Sequence, residues 1–504
     1  MNERTKKKEW FKCLKTHTLL AVLFSILALI LYGSLAFHNN IWYDESYQMA
    51  LNKHNVIEII RLAAYDFHPP LYDIMLHIFT GIFGDSLVVC RFFSIFSLIG
   101  LIILAFYPVR RAFGIKASVV FSFFLVTFPC LFYSALEIRM YGWAAFFTMA
   151  ACIYGYLAVT KPSKKNFILL AVYAFCGMYT HIYSLIGIFF CYAVLFFYTL
   201  APKRRKLLPK ILICGSINAL LFLPWLFVQL HQVQNALNNY WRNSLTVGRC
   251  IDAIFTFMFG EYNILRASAV CIIFWLLIVW AIWKLRKRME QDSEFGFGIL
   301  YLGLVPAATM AFLIAYVQLV LPAYANRYTI PTMPVFLLFF AVLVANANLK
   351  KVLLAAMGVL MAGNMALGYR EEFRTAYEDP FGLEEIVDIL ERAGENGEVY
   401  LVHLHEWPLG CFYYYLPELE HTVCDDTYTV LNTYDVFSKD MIKLDNLEEL
   451  QNYTDTFYFI SFANATNDPI TDMLSSDEWS FEKAADCQYR YDGSHYYLMK
   501  VTKK

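Results

Sequence analysis

Apolar residues run in long blocks along this chain, and short polar stretches separate them. Eleven blocks approach the roughly 20 residues that a membrane-crossing helix needs. They are 17–37, 87–108, 117–136, 142–160, 166–183, 184–200, 210–229, 265–284, 296–320, 330–347 and 350–368. This pattern predicts a polytopic all-α membrane protein with about eleven transmembrane helices. The polar stretches supply a direction. Lys and Arg gather in "RTKKK", "VRRAFGIK", "KPSKK", "PKRRK", "KLRKR" and "NLKK". Basic residues stay on the cytoplasmic face, and eleven spans put all six clusters there. The expected orientation is N-terminus in, C-terminus out. The first block is too long for a signal-peptide core and has no small-residue cleavage site, so it reads as a retained anchor.

Two stretches depart from the spanning pattern. "PPLYDIMLHIFTGIFG" is apolar, but counting it as a span would invert every later loop. It reads as a helix lying in the outer interface, its prolines suiting a first helical turn. "ESYQMALNKHNVIEIIRLAAY" has helical periodicity with polar breaks and reads as a second interfacial helix. Residues 37–86 then form a structured outer loop 1. Residues 230–264 form another outer stretch.

The periodicity changes beyond residue 368. "FGLEEIVDILERAG" is an amphipathic helix ending at Gly394, while "EVYLVHL", "TFYFISF" and "HYYLMKVT" read as strands. Residues 1–368 are thus expected to be a membrane domain and 369–504 a soluble extracytoplasmic α/β domain.

Composition supports the membrane class. The chain of 504 residues is 59% hydrophobic, 18% aromatic and only 16% charged, where soluble domains carry about 25% charged residues. A formal net charge of −1 hides a division. From Tyr369 onward there are 28 acidic and 10 basic residues, against 42 and 41 in the whole chain. An acidic tail does not suit nucleic acid, and no nucleic-acid partner is expected. Most of the twelve cysteines lie in apolar blocks without CxxC or zinc spacing. Among Cys411, Cys424 and Cys487 in the tail, a pair could bridge. Asn452 and Asn464 match the N-glycosylation pattern.

Topology sends the polar candidates to one face. Outer loop 1 carries Asp44, Glu45, Asp66 and His68. "ALEIRMYGW" carries Glu137, Arg139 and Tyr141. "MYTHIYS" carries His181, and "YANRYTIPTMP" carries Arg327 and Tyr328. Each has an ordinary reading: a solvated acid, a snorkelling arginine, an interfacial histidine, a tyrosine of the aromatic belt. Charges at membrane helix ends are nonetheless costly unless solvated, paired or used. Carboxylates and arginines converging on one face suggest an anion site with a base beside it. No glycine-rich phosphate loop is present, which argues against a cytoplasmic nucleotide-sugar enzyme.

The order and placement of "YDESY", "HPPLY", "EIRMYGW" and "NRYTIP" resemble the GT-C glycosyltransferases over residues 15–345. The resemblance is to the RgtA/B/C/D-like branch, related to protein O-mannosyltransferases and the lipid A aminoarabinose transferase. It implies a cell-membrane enzyme of cell-envelope glycosylation that passes a sugar from a polyprenyl-phosphate carrier to a glycan, lipid or protein acceptor outside, by an inverting displacement. Asp44 would serve as base or orient the acceptor hydroxyl, with Glu45 as its companion acid. Arg139 and Arg327, with Tyr141 and Tyr328, would hold the lipid phosphate. Asp66, His68, Glu137 and His181 are further candidates. The aminoarabinose enzyme has an aspartate near the place of Glu137 and Arg139. Family members differ in metal use, so a divalent metal stays open. The chemistry agrees: a hydroxyl nucleophile needs a carboxylate within reach, and a departing phosphate needs guanidinium. A transporter or flippase is the main rival, although transporters place polar breaks at mid-membrane within repeats. A glycan ligase of the same fold is another, and a non-catalytic assembly subunit a third.

Overall fold

The structure is a computed structural model. It describes residues 3–128, 130–239, 264–320 and 325–378, and in the C-terminal region 383–395, 397, 399–403, 406–424, 433–438, 441–444, 449, 454–462, 474, 477–489 and 494–504. Most of the second outer stretch expected at 230–264, together with Asn452 and Asn464, lies outside the described residues.

Each expected span contains helix, but 117–136 is broken at Phe128, which is extended with ψ 119°, and 166–183 runs past a helix end at Met178. α1 (Glu3–Gly33) leads into the first loop, which contains α2 (Tyr43–Asn52), α3 (Val56–Ala63) and α4 (Leu71–Phe83). The next pair is α5 (Leu87–Leu104) and α6 (Arg110–Thr127), followed by the short α7 (Cys130–Leu136). Then come α8 (Tyr141–Thr160), α9 (Lys164–Met178), α10 (Ile182–Thr199) and α11 (Leu208–Asn239). The remaining long helices are α12 (Ile264–Gln291), α13 (Ser293–Leu319), α14 (Met333–Asn346) and α15 (Lys351–Phe373). Polar residues just before the apolar runs start several of them. Ser86, Ser163 and Asp292 accept from Val89, Asn166 and Phe295 backbone N–H groups, satisfying donors that a helix start leaves open.

Length and apolarity license eight membrane-crossing stretches among the described residues, not eleven. Two differences have a visible cause. Leu87–Thr127 counts as one stretch, yet Gly114 breaks it with φ 86° and ψ 170°, a conformation open chiefly to glycine. α9 has only 15 residues, about 22 Å of helix at 1.5 Å per residue. α4 has 13 residues and is about 20 Å long, too short to cross about 30 Å of hydrocarbon. The first loop holds two helices before α4 where one was read. Asn55 divides them by capping Ile57 and Glu58 N–H groups at 3.1 Å each. The proline pair precedes α4: Pro70 is its N-cap, and Leu71 opens the helix.

Packing sorts the helices. α8 and α14 are buried on nearly all sides. α15 exposes Val352, Val359 and Leu367, as a helix bordered by lipid does.

The C-terminal region adds α16 (Glu384–Glu395), α17 (Glu406–Tyr415) and a six-stranded sheet. Its strands are β1 (Tyr400–His403), β2 (Glu420–Cys424), β3 (Ile442–Leu444), β4 (Thr456–Phe462), β5 (Trp479–Tyr489) and β6 (Ser494–Lys503). The order is β3-β2-β1-β4-β6-β5. Pairings are parallel from β3 to β4 and antiparallel among β4, β6 and β5. Cys411, Cys424 and Cys487 are buried free thiols, so no disulfide joins them.

Candidate functional site

The site begins where α1 gives way to α2. Trp42 is extended at the helix start, and the first turn carries Asp44 and Glu45, acids at the end of a helix that favours negative charge. The two side chains have different surroundings. Asp44 keeps 13% of its side-chain surface. Its Oδ2 lies 2.8 Å from Arg327 Nη1 and 3.8 Å from Arg139 Nε. Glu45 is fully buried. Its Oε1 accepts from the Ile138 N–H at 3.2 Å, and its Oε2 lies 3.7 Å from Arg91 Nη2.

Arg91 is a member of this ionic system that the sequence motifs did not single out. It stands one turn into α5 with 1% exposure and donates to the carbonyls of Ala36, His38 and Asn40 at 3.2, 2.6 and 2.6 Å. The available signal was one arginine in the apolar run "LVVCRFFS", since a charge inside a span is rarely idle.

Arg139 and Glu137 sit in the turn between α7 and α8, where the Arg139 N–H donates to the Glu137 carbonyl at 2.7 Å. α5 braces this turn. Ser94 donates to the Glu137 carbonyl at 2.7 Å, and Trp143 donates to the Phe93 carbonyl at 3.1 Å. Gly142 lets α8 approach: a Cβ there would meet Ser97 Oγ and lie 2.7 Å from the Ser134 carbonyl. Arg327 enters on a 3₁₀ turn, Asn326–Thr332. It lies 5.3 Å from the Trp42 ring and 5.7 Å from the Tyr141 ring, a cation–π setting. Glu137 Oε1 is 3.9 Å from Arg327 Nη1. Burial pushes the Glu137 carboxyl up to about 8 although Arg327 pulls the other way.

The histidines form the adjoining wall. His68 and His181 stack at 4.8 Å, and His181 lies 5.2 Å from Tyr141 and 6.5 Å from Tyr328. Tyr328 stacks on Tyr183 at 4.9 Å. His181 caps α10, its Nδ1 accepting from the Tyr183 N–H at 3.1 Å. That bond leaves the ring proton on Nε2. Burial, then Arg139 and Arg327, holds the His181 pKa down to about 3. His68 is lowered by burial and by His181. Both rings are therefore neutral at pH 7. Burial raises the Asp66 carboxyl, with Arg139 opposing. Beside it, Asp73 accepts from Gln48 at 3.0 Å and is pushed by burial up to about 7. The motifs did not mark Asp73 or Gln48.

The motif residues thus converge, with one difference from expectation. Arg327, expected to hold the lipid phosphate, touches Asp44 in the absence of one. Among the described residues no group of three or more His, Cys, Asp or Glu is arranged to hold a metal ion.

A bundle of long apolar helices, a mixed-sheet domain upon it and an ionic cluster at the bundle's mouth define a polytopic membrane protein with a charged site at its helix ends. Residues 67–227 match the family model of dolichyl-phosphate-mannose-protein mannosyltransferase, which takes in "HPPLY" and "EIRMYGW" but not Asp44 or Arg327. The structure is similar to that of ArnT from Cupriavidus metallidurans in the apo state, with a TM-score of 0.63, 13% identity and 96% and 98% of the two chains covered. It is similar also to the same protein bound to undecaprenyl phosphate, with a TM-score of 0.65, 14% identity and the same coverage. No curated protein matches the sequence.

Proposed function

We propose that this protein is a membrane glycosyltransferase. It moves a sugar from a polyprenyl-phosphate carrier to an acceptor hydroxyl on the extracytoplasmic side, with inversion at the anomeric carbon. The observation that carries this reading is Asp44, part-exposed, held 2.8 Å from Arg327 with Arg139 and Glu137 beside it. The fold and the family match support a polyprenyl-phosphate-linked donor. The orientation rests on the six basic clusters.

Without donor, Asp44 is the counter-ion that the two guanidiniums share. An arriving phosphodiester competes for the same donors, since charge-assisted contacts to phosphate are the strong ones. It draws Arg327 and Arg139 to itself and releases Asp44. The free carboxylate takes the proton of the acceptor hydroxyl as that oxygen bonds to the anomeric carbon. The bond from that carbon to phosphate oxygen breaks, and the arginines hold the charge growing on the departing polyprenyl phosphate. Glu45 acts at one remove. Bonded to Ile138 and Arg91, it ties α2 to the turn that carries Glu137 and Arg139. A divalent ion does not suit these residues, because the oxygens of Asp44 and Glu137 face guanidinium charge.

The test is to incubate the purified protein with lipid extract and the extracytoplasmic fraction of its source cells and follow the lipids by mass spectrometry. Loss of one polyprenyl-phosphate sugar with matching gain of polyprenyl phosphate is expected. A lipid pool left unchanged, by protein that binds undecaprenyl phosphate, contradicts the reading.

A further inference from the structure

The segment that delivers Asp44 is gripped from the far end of the chain. Ile41, three residues before Asp44, is fully buried. Both of its backbone polar groups go to the Tyr489 hydroxyl: the Ile41 N–H donates to it at 2.9 Å, and the hydroxyl donates to the Ile41 carbonyl at 2.7 Å. Tyr489 is the last residue of β5, 448 positions away. Tyr415, the last residue of α17, works alongside. Its hydroxyl accepts from the Ile41 N–H at 3.1 Å and donates to the Asn39 carbonyl at 2.8 Å. From the membrane side Arg91 holds the carbonyls of His38 and Asn40. The C-terminal region also touches the face of α2 directly. Trp407 stacks on Tyr43 at 6.3 Å, and Phe437 meets Tyr47 edge-on at 6.2 Å.

A buried extended segment has backbone groups that need partners. Here the partners are hydroxyls from two separate elements of the sheet domain. We propose that Tyr489 and Tyr415 are positioning residues: they clamp Asn39–Ile41 and so set the depth and rotation at which α2 presents Asp44 to Arg327 and Arg139. The C-terminal domain is then part of the catalytic machinery and not only a cap over it. The claim rests on the catalytic reading of Asp44. A displacement of about 1 Å in a reacting group can cost about 10²-fold in rate, so a clamp three residues from the base has leverage on turnover.

The experiment uses the full-length protein in nanodiscs. Tyr489→Phe keeps the ring, which packs 6.3 Å from Tyr496, and deletes the hydroxyl. Hydrogen–deuterium exchange is expected to quicken in peptides covering residues 39–47 and to stay unchanged in β4 and β6. Turnover of the polyprenyl-phosphate sugar in source-cell lipid extract is expected to fall about 10- to 100-fold, with its apparent KM within about twofold of wild type. In an Asp44→Asn background the same substitution should cost less than about twofold more, because the residue it positions is already disabled. Tyr415→Phe should show the same pattern, more weakly, and serves if Tyr489→Phe does not fold. Unchanged exchange at 39–47 overturns the proposal. So does a rate loss that multiplies in full with Asp44→Asn, which marks a general structural fault. If Asp44→Asn alone turns over normally, the catalytic reading of Asp44 falls, and the clamp's role in turnover falls with it.

Discussion

Two neighbouring acids, Asp44 and Glu45, read alike in the sequence and part company in three dimensions. One turn of helix points the part-exposed Asp44 at two arginines and buries Glu45 against Arg91 and the Ile138 N–H. Sequence reading found the paired acids and could not rank their surroundings, because the partners lie 46 to 283 positions away. Glu137 is a sharper case. Its motif was legible, but its ionisation was not, since burial decides it. With the carboxyl up at about 8, it is mostly uncharged at pH 7. The protonated form suits the folded state, so this group's contribution to stability is full below the ordinary carboxylate range and is lost as pH rises through about 8. The consequence for function has the same origin. Above that pH, Glu137 becomes a second anion on Arg327 and competes with phosphate. A phosphodiester donor does not titrate there. The apparent KM for donor should therefore rise across about pH 7 to 9, and Glu137→Gln should flatten that rise. Steady-state kinetics of both proteins across this range provide the check. An equal rise in the variant assigns the pH dependence to another group.

Among the elements, the long apolar blocks were legible because spanning helices are written in composition and length. The amphipathic α16 and strands β1, β4 and β6 were equally plain. β2, β3 and β5 were not. β3 has three residues, and β5 reads "WSFEKAADCQY", too polar to announce a strand; its pairing with β6 supplies the order. The glycine of "EIRMYGW" has an element-scale meaning that the motif alone hides. Gly142 is the contact at which α8 closes on α5 and on the end of α7, and the turn bearing Glu137 and Arg139 hangs from that contact. Gly142→Ala puts a methyl group against Ser97 Oγ and the Ser134 carbonyl. Overpacking of this kind costs about 1–3 kcal/mol. A lowered thermal midpoint with a larger loss of turnover is expected. Adding Ser97→Ala should recover part of both, the Ser134 carbonyl remaining in place. Thermal unfolding and rate measurements on the three proteins decide it. A Gly142→Ala protein of wild-type stability would show that the helices have room to part.

For the whole molecule, the sequence pattern argues for eleven spans where helix length and apolarity license eight among the described residues. The case for eleven is that the basic clusters constrain every loop at once, and labelling tests it. Single-cysteine variants in the first loop and at the acidic C-terminal region should react with an impermeant thiol reagent in intact cells. A cysteine within "PKRRK" should react only after the membrane is opened. Labelling of the C-terminal region only after opening would overturn the orientation. What the pattern could not convey is that the two ends of the chain meet. Ile41 and Tyr489 are joined by two hydrogen bonds, and no periodicity foretells a contact over that distance.

The central claim is that Asp44 accepts the proton of the attacking hydroxyl at the mouth of the helix bundle. Asp44→Asn keeps the shape of the side chain and removes the proton acceptor. General-base assistance is typically worth about 10²–10⁴-fold. The decisive measurement is single-turnover transfer by this variant from the identified polyprenyl-phosphate sugar, with undecaprenyl phosphate binding and thermal midpoint measured on the same preparation. The account predicts a rate lowered by about that factor, with binding kept and the fold intact. Transfer at the wild-type rate would contradict it and leave Asp44 as the counter-ion of two arginines, Arg139 buried and Arg327 part-exposed.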